Sequence, residues 1–310
     1  MRYRQLIPAV FVLIILVVAN QAQTPASAAN YFQRAHSKYE KGDLDGALQD
    51  YTRAIEFSSR LAVGKPIKGN AFTSTETNRI TVIDPLTARA YANRGIVRFG
   101  KGDLEGAVSD LDEAIRLNSG LAESYLARGV ARRAKGNLKD ALTDFDRALL
   151  INPRLVEAYN DRADLWLDRG EVNFAIADLN RSLALKPRMA ETFYLLGFAR
   201  FAKSDLDGAV SNFDRAIELK PTFAGAYHGR GTVWLTRGDI ERALSDFDRA
   251  LELDSNLEFT YMNRGLALLL AGRDAQAQED FSRCLQLKPA LKAELEERIR
   301  LAKERRSKAR

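Results

Sequence analysis

The stretch Ala224–Leu257, AGAYHGRGTVWLTRGDIERALSDFDRALELDSNL, decides how the chain is read. Its apolar residues recur at helical spacing on both sides of Arg237-Gly238-Asp239, so it reads as two short amphipathic helices joined by a tight turn. Gly238 suits the left-handed residue that ends a first helix, and Asp239 suits the N-cap of a second. A single hairpin of this kind needs a neighbour on either side to bury its apolar faces.

Those neighbours are present. Alignment on the Gly-Asp turn and the alanine after it places units at Ala28, Ala88, Ala122, Val156, Ala190, Ala224 and Glu258, the last six at a constant spacing of about 34 residues. Counting from the first residue of each unit, position four is aromatic (Tyr31, Tyr91, Tyr125, Tyr159, Phe193, Tyr227, Tyr261). Position eight is small (Ala35, Gly95, Gly129, Ala163, Gly197, Gly231, Gly265), and position twenty is always alanine, from Ala47 to Ala277. Small residues at these two positions let the helices of a unit approach closely, with aromatics and leucines filling the space around them. Glycine follows the first helix at Gly42, Gly102, Gly136, Gly170, Gly238 and Gly272, and Asp43, Asp103, Asn137, Asp205 and Asp239 stand as N-caps of second helices. Proline closes five units, at Pro85, Pro153, Pro187, Pro221 and Pro289.

This pattern resembles the tetratricopeptide repeat family, from Ala28 to Leu291. The resemblance implies an all-α fold, an α-solenoid of helix–turn–helix repeats forming a superhelix with a concave groove. Its units would be 28–87, 88–121, 122–155, 156–189, 190–223, 224–257 and 258–291.

Two features are particular to this chain. Position seven is arginine in six units (Arg34, Arg94, Arg128, Arg162, Arg230, Arg264), and position twenty-three is aspartate in the same six (Asp50, Asp110, Asp144, Asp178, Asp246, Asp280). In the fifth unit both change together, to Leu196 and Asn212. Joint loss predicts that the two positions meet as an Arg–Asp pair within each unit. The second feature is an insertion in the first unit, near 58–83. Gly64, Pro66 and Gly69 break helical order there, and Ala71–Asp84 (AFTSTETNRITVID) has the composition of a small hairpin, read as a tolerated loop.

The termini carry their own signals. Arg2 and Arg4 precede an apolar run, Leu6–Ala19, followed by the small and polar residues 20–27. These are the parts of a secretory signal peptide, 1–19, with 20–27 as a leader; an uncleaved membrane anchor is the alternative reading, although a full span takes about 20 apolar residues. Either way the repeats are expected to be exported, to the periplasm or the exterior of a bacterial cell. At the other end Leu291, Leu295, Ile299 and Ala302 recur at helical spacing, as a capping helix over the last unit would require. Lys303–Arg310 then forms a basic tail, suited to weak contact with an anionic membrane surface.

The formal charge of +6 sits at these ends: Arg2 and Arg4 at one, and the eight basic against four acidic residues of 292–310 at the other. The repeats between are neutral, which argues against nucleic acid as a partner. With Cys284 the only cysteine, no disulfide forms within the chain. His36 and His228 lie in different units, so no metal site is expected, and Gly95–Gly102 only imitates a phosphate loop. No cofactor, small-molecule substrate or catalytic residue is expected.

Function then has to come from surface. In the family that the chain resembles, positions two, five, nine and twelve of the first helices face the groove. Carried over, they give an apolar C-terminal stretch: Tyr194, Phe198 and Phe201, then His228 and Leu235, then Phe259, Met262 and Leu266, a composition suited to a peptide or helix. The family's terminal-carboxylate clamp needs Lys and Asn at positions five and nine. Position five here holds Phe32, Ala92, Leu126, Asn160, Tyr194, His228 and Met262, so that clamp is missing. The expectation is an exported, non-enzymatic scaffold that binds a protein partner in envelope complex assembly. The alternatives are a self-assembling homo-oligomer and a membrane-tethered adaptor.

Overall fold

The computed structural model describes residues 27–63 and 85–308. The signal peptide, most of the leader, the hairpin reading of 71–84 and the last two residues lie outside them. Every regular element within them is helical. The first unit holds α1 (Ala28–Glu40) and α2 (Leu44–Val63), the second α3 (Pro85–Gly100) and α4 (Leu104–Leu117), and the third α5 (Ala122–Ala134) and α6 (Leu138–Ile151). The fourth holds α7 (Val156–Asp168) and α8 (Val172–Leu185), and the fifth α9 (Ala190–Ala202) and α10 (Leu206–Leu219). The sixth holds α11 (Ala224–Arg237) and α12 (Ile240–Leu253), and the seventh α13 (Glu258–Leu270) and α14 (Asp274–Leu287). A 3-10 turn, Pro289–Leu291, leads into α15 (Lys292–Lys308). Two compact bodies divide within α7, one ending at Asp161 and the other beginning at Arg162.

Helix ends follow the chemistry of the turn. The six turn glycines have φ between 76° and 86°, and in the fifth unit Ser204 takes the same left-handed conformation at 61°. The carboxylates of Asp43, Asp103, Asp205 and Asp239 accept from backbone N–H groups three residues on, at 2.8 to 3.1 Å. Asn137 occupies the same place without accepting that bond; an uncharged amide gains less from a helix N-terminus than a carboxylate does. Pro85 opens α3 rather than closing the unit before it, since proline is tolerated in a first turn. α2 continues helically to Val63, the residue before Gly64.

Within each body the core repeats one contact. A β-carbon added to Gly197, Gly231 or Gly265 would lie 2.5 to 2.8 Å from the ring of Phe213, Phe247 or Phe281, each at position twenty-four of the same unit. Glycine at position eight therefore sets how closely the ring seats. A β-carbon on Gly229 of the next unit would also lie 2.5 Å from the Phe213 ring, so glycines of two successive units make room for it.

The Arg–Asp pairs form, and within units. In each of the six, the Nη2 of the arginine donates to its aspartate at 2.5 to 2.7 Å, and the Nε donates to the same carboxylate. The aspartates are buried. The arginines also reach back: Arg128, Arg230 and Arg264 donate through Nη1 to Asp112, Asp214 and Asp248 of the preceding unit at 2.6 to 2.7 Å, and Arg94 donates through Nη1 to Thr52 Oγ1 at 3.1 Å. In the fifth unit Leu196 is buried in apolar core, and Asn212 turns its amide to the Gly208 carbonyl of its own helix. Removing one partner leaves a charge buried alone, whereas removing both leaves none. Arg264→Leu is expected to cost about 3–5 kcal/mol. Adding Asp280→Asn, which copies the fifth unit, should recover most of that loss, as read from the urea unfolding midpoint.

Candidate functional site

The candidate surface is the first-helix face of the C-terminal body, where α11 lies between α9 and α13. On α9, Tyr194 is buried. Its ring meets Phe198 at 4.8 Å edge-on, Phe223 at 4.9 Å and Phe213 at 6.0 Å, and Phe198 meets Phe213 at 5.1 Å. Gly225 keeps this arrangement possible, since a β-carbon there would come within 3.2 Å of the Tyr194 ring. Tyr194 is thus core, while Phe198 and Phe201 remain half-buried at the edge of the cluster.

On α11 the groove-facing polar residues are committed to holding two helices together. His228 Nδ1 lies 2.8 Å from Thr260 Oγ1 of α13. Asn263 of α13 donates to Thr232 Oγ1 at 3.2 Å, and Thr232 donates to the His228 carbonyl at 2.9 Å. Burial holds the His228 imidazole well below its ordinary value of 6.5, at about 4, so the ring is neutral near pH 7. Leu235 is half-buried beside Trp234, over whose ring Arg242 lies at 4.0 Å and Arg237 at 5.2 Å.

On α13, Phe259 is half-buried with the Lys288 ammonium 4.9 Å above its ring. Met262 and Leu266 are buried, in one cluster with Leu269, Leu291, Leu295 and Ala302. Their cover is α15, whose helix runs on through Lys303–Lys308, so most of the stretch read as a basic tail is part of the cap. Of the residues expected to face a partner, Phe198, Phe201, His228, Leu235 and Phe259 therefore keep exposed surface, whereas Tyr194, Met262 and Leu266 are packed inward. Sequence reasoning had no signal for the His228–Thr260 bond, because it occurs in one pair of units and has no period.

Among the described residues no cluster of three or more His, Cys, Asp or Glu side chains could hold a metal. No helix among them is long and apolar enough to cross a membrane. Cys284 is buried, and that burial pushes its thiol up to about 11.

The pH dependence of this surface follows from His228. Between pH 6.5 and 4 the unfolded chain binds a proton that the folded ring refuses. Stability is fully present above that window and falls as pH drops through it, by at most about 3 kcal/mol. His228→Gln should flatten this part of the stability–pH curve measured by urea unfolding.

Comparison with known proteins places the chain. Two models described as Tetratricopeptide repeat match it, one at residues 126–190 and 194–258, the other at 28–60, 88–120 and 260–291. Over 102 residues the chain is 26% identical to Heat shock protein STI1 of Saccharomyces cerevisiae, a match that takes in 30% of this chain and 17% of that protein. The chain therefore spans less than a fifth of that relative. A tetratricopeptide repeat protein from Parabacteroides merdae has the same fold, with a TM-score of 0.66 and 18% identity over 89% of this chain and 98% of that one. A thermophilic tetratricopeptide protein of Thermus thermophilus aligns with a TM-score of 0.52 and 27% identity, over 58% of this chain and 98% of its own. The family models cover well over half the chain, which belongs to the tetratricopeptide repeat family.

Proposed function

We propose that this protein is an exported, non-enzymatic scaffold that captures a segment of a partner protein on the first-helix face of its C-terminal units, in the assembly of an envelope complex. The supporting observation is the line of half-buried apolar side chains left on that face: Phe198 and Phe201 on α9, Leu235 on α11 and Phe259 on α13. Large rings held by neighbours, with one side open, lose little conformational freedom when a partner covers them. Helix or extended peptide would both fit a face of this chemistry. Export rests on the basic, apolar and small-residue succession of the first 27 residues.

A photo-crosslinking phenylalanine analogue at Phe198 or Phe259 keeps the ring and reports what lies against it in the cell of origin. It should join a single protein partner in the exported fraction, on a chain beginning at Asn20. Phe259→Asp together with Phe201→Asp should weaken capture about 30-fold or more, with helicity and melting unchanged. Normal capture by that variant would show that the partner binds elsewhere.

A second reading, self-association through the second helices, has one observation in its favour. Phe174 on α8 is 59% exposed and sits against Trp166, with ring centroids 5.2 Å apart. Sedimentation across a range of concentrations tests it. Mass that rises with concentration and falls back in Phe174→Glu would make the chain a homo-oligomer; constant mass would dismiss this reading.

A further inference from the structure

The seventh unit is followed by α15 rather than by an adjoining repeat, yet its first-helix face is better covered than those of the fifth and sixth units. At position nine, Phe198 and Thr232 are half-buried while Leu266 is buried. At position twelve, Phe201 and Leu235 are half-buried while Leu269 is buried. The cover comes from α15, which does not continue the stack. A further first helix would pack chiefly on the preceding second helix, as α13 does on α12, but α15 packs chiefly on α13. It also leans back towards the sixth unit, where the Arg305 guanidinium comes within 3.6 Å of a β-carbon position on Gly238.

The contact is made by one stripe. Leu295 and Ala302 are buried, Ile299 is partly buried against the same cluster, and Arg306 follows four residues after Ala302. Arg306 Nη1 donates to the Leu269 carbonyl at 2.8 Å, at the C-terminal end of α13, and the same side chain pairs with Asp274 of α14. A guanidinium is well placed where helix carbonyls lack partners. The rest of α15 is charged, and Leu301 faces outward at 49% exposure. Two buried side chains, one partly buried side chain and one guanidinium make a narrow seal.

We propose that α15 occupies, in cis, the end of the partner surface: the seventh unit's first-helix face accepts an amphipathic helix with two large apolar residues, a small one and an arginine spaced as Leu295, Ile299, Ala302 and Arg306, and a partner helix of that pattern displaces α15. The inference rests on the partner-binding reading of this face.

The test uses the full chain and, as probe, a fluorescein-labelled peptide of residues 288–310. Arg306→Glu should open the seal, raise amide hydrogen exchange in Glu258–Leu270, and bind the peptide about tenfold or more tighter than the unaltered chain. A peptide carrying Leu295→Asp should not bind. Equal peptide binding by both chains, or unchanged exchange in α13, overturns the proposal. As a second arm, Asp274→Cys with Arg306→Cys takes the peptide until the two thiols are joined by a short bismaleimide; buried Cys284 stays unmodified. Peptide binding by the joined chain also overturns it. The two readings fail separately. If Arg306→Glu opens but capture ignores Phe201→Asp with Phe259→Asp, occupancy of the face by α15 stands and its competition with a partner falls. If capture needs those rings but Arg306→Glu changes nothing, occupancy falls alone.

Discussion

Six of the seven repeats are tied by a guanidinium at the seventh position. The aspartate at position twenty-three faces the seam between the two helices, where an unpaired carboxylate would be costly to bury. Arginine answers with a planar fork that satisfies both oxygens, which a lysine ammonium does not do. In five units the same guanidinium lies 5.1 to 5.6 Å above the tyrosine ring at position four of its own helix, which fixes its plane. Where Nη1 also reaches the preceding unit, one side chain sets both the packing of a hairpin and its registration on its neighbour. The close seating of glycine at position eight against the ring at position twenty-four is independent of that tie, since Gly197 and Phe213 seat as closely in the fifth unit, which lacks the pair.

The fifth unit shows what happens when the tie is withdrawn. Leu196 and Asn212 replace the pair, and the acids that would be reached in the fourth unit are replaced as well, by Asn180 at position twenty-five and Asn173 at position eighteen. Lys203 still finds Asn173, at 3.2 Å, but as a neutral acceptor; at the same two positions the next joint has Arg237 with the carboxylate of Asp207. In place of the charges stand buried Leu196, the cluster of Tyr194, Phe198, Phe213 and Phe223, and a buried hydroxyl contact of 2.9 Å between Ser182 and Thr192. Charge pairing and apolar packing thus exchange as sets. Half of a set would leave either a stranded carboxylate or an unmatched guanidinium.

This explains how much was legible before the structure. Features written six or seven times could be read from the chain: the hairpins, the turn glycines and the Arg–Asp pairs, the last of these because both members vanish together at Leu196 and Asn212. Features written once could not. Nothing periodic marks His228 as the partner of Thr260, or Thr232 as that of Asn263. The spacing of Leu295, Ile299 and Ala302 announces an apolar stripe, but a stripe says only that a helix needs cover. Whether it lies on α14 or leans onto α13 depends on shape, and large Ile299 stands at position eight, where all seven repeats place glycine or alanine against their own second helix and α15 has none.

The same reasoning changes how the apolar face should be weighed. The seventh unit has the richest groove composition, with Phe259, Met262, Leu266 and Leu269, against Gly225, His228, Thr232 and Leu235 in the sixth. A ligand is one cause of such richness. The end of a stack is another, because its last first helix needs cover from within the chain. Met262, Leu266 and Leu269 have that cover in α15, so their hydrophobicity by itself says nothing about a partner. Phe201 and Phe198 differ: units follow and precede them, the stack has already taken what it needs from α9, and ring surface is still left over. Apolar surface that internal packing leaves uncovered is what a partner can use. By that criterion the proposed recognition face would centre on the fifth unit, beside the joint from which the charges have been removed.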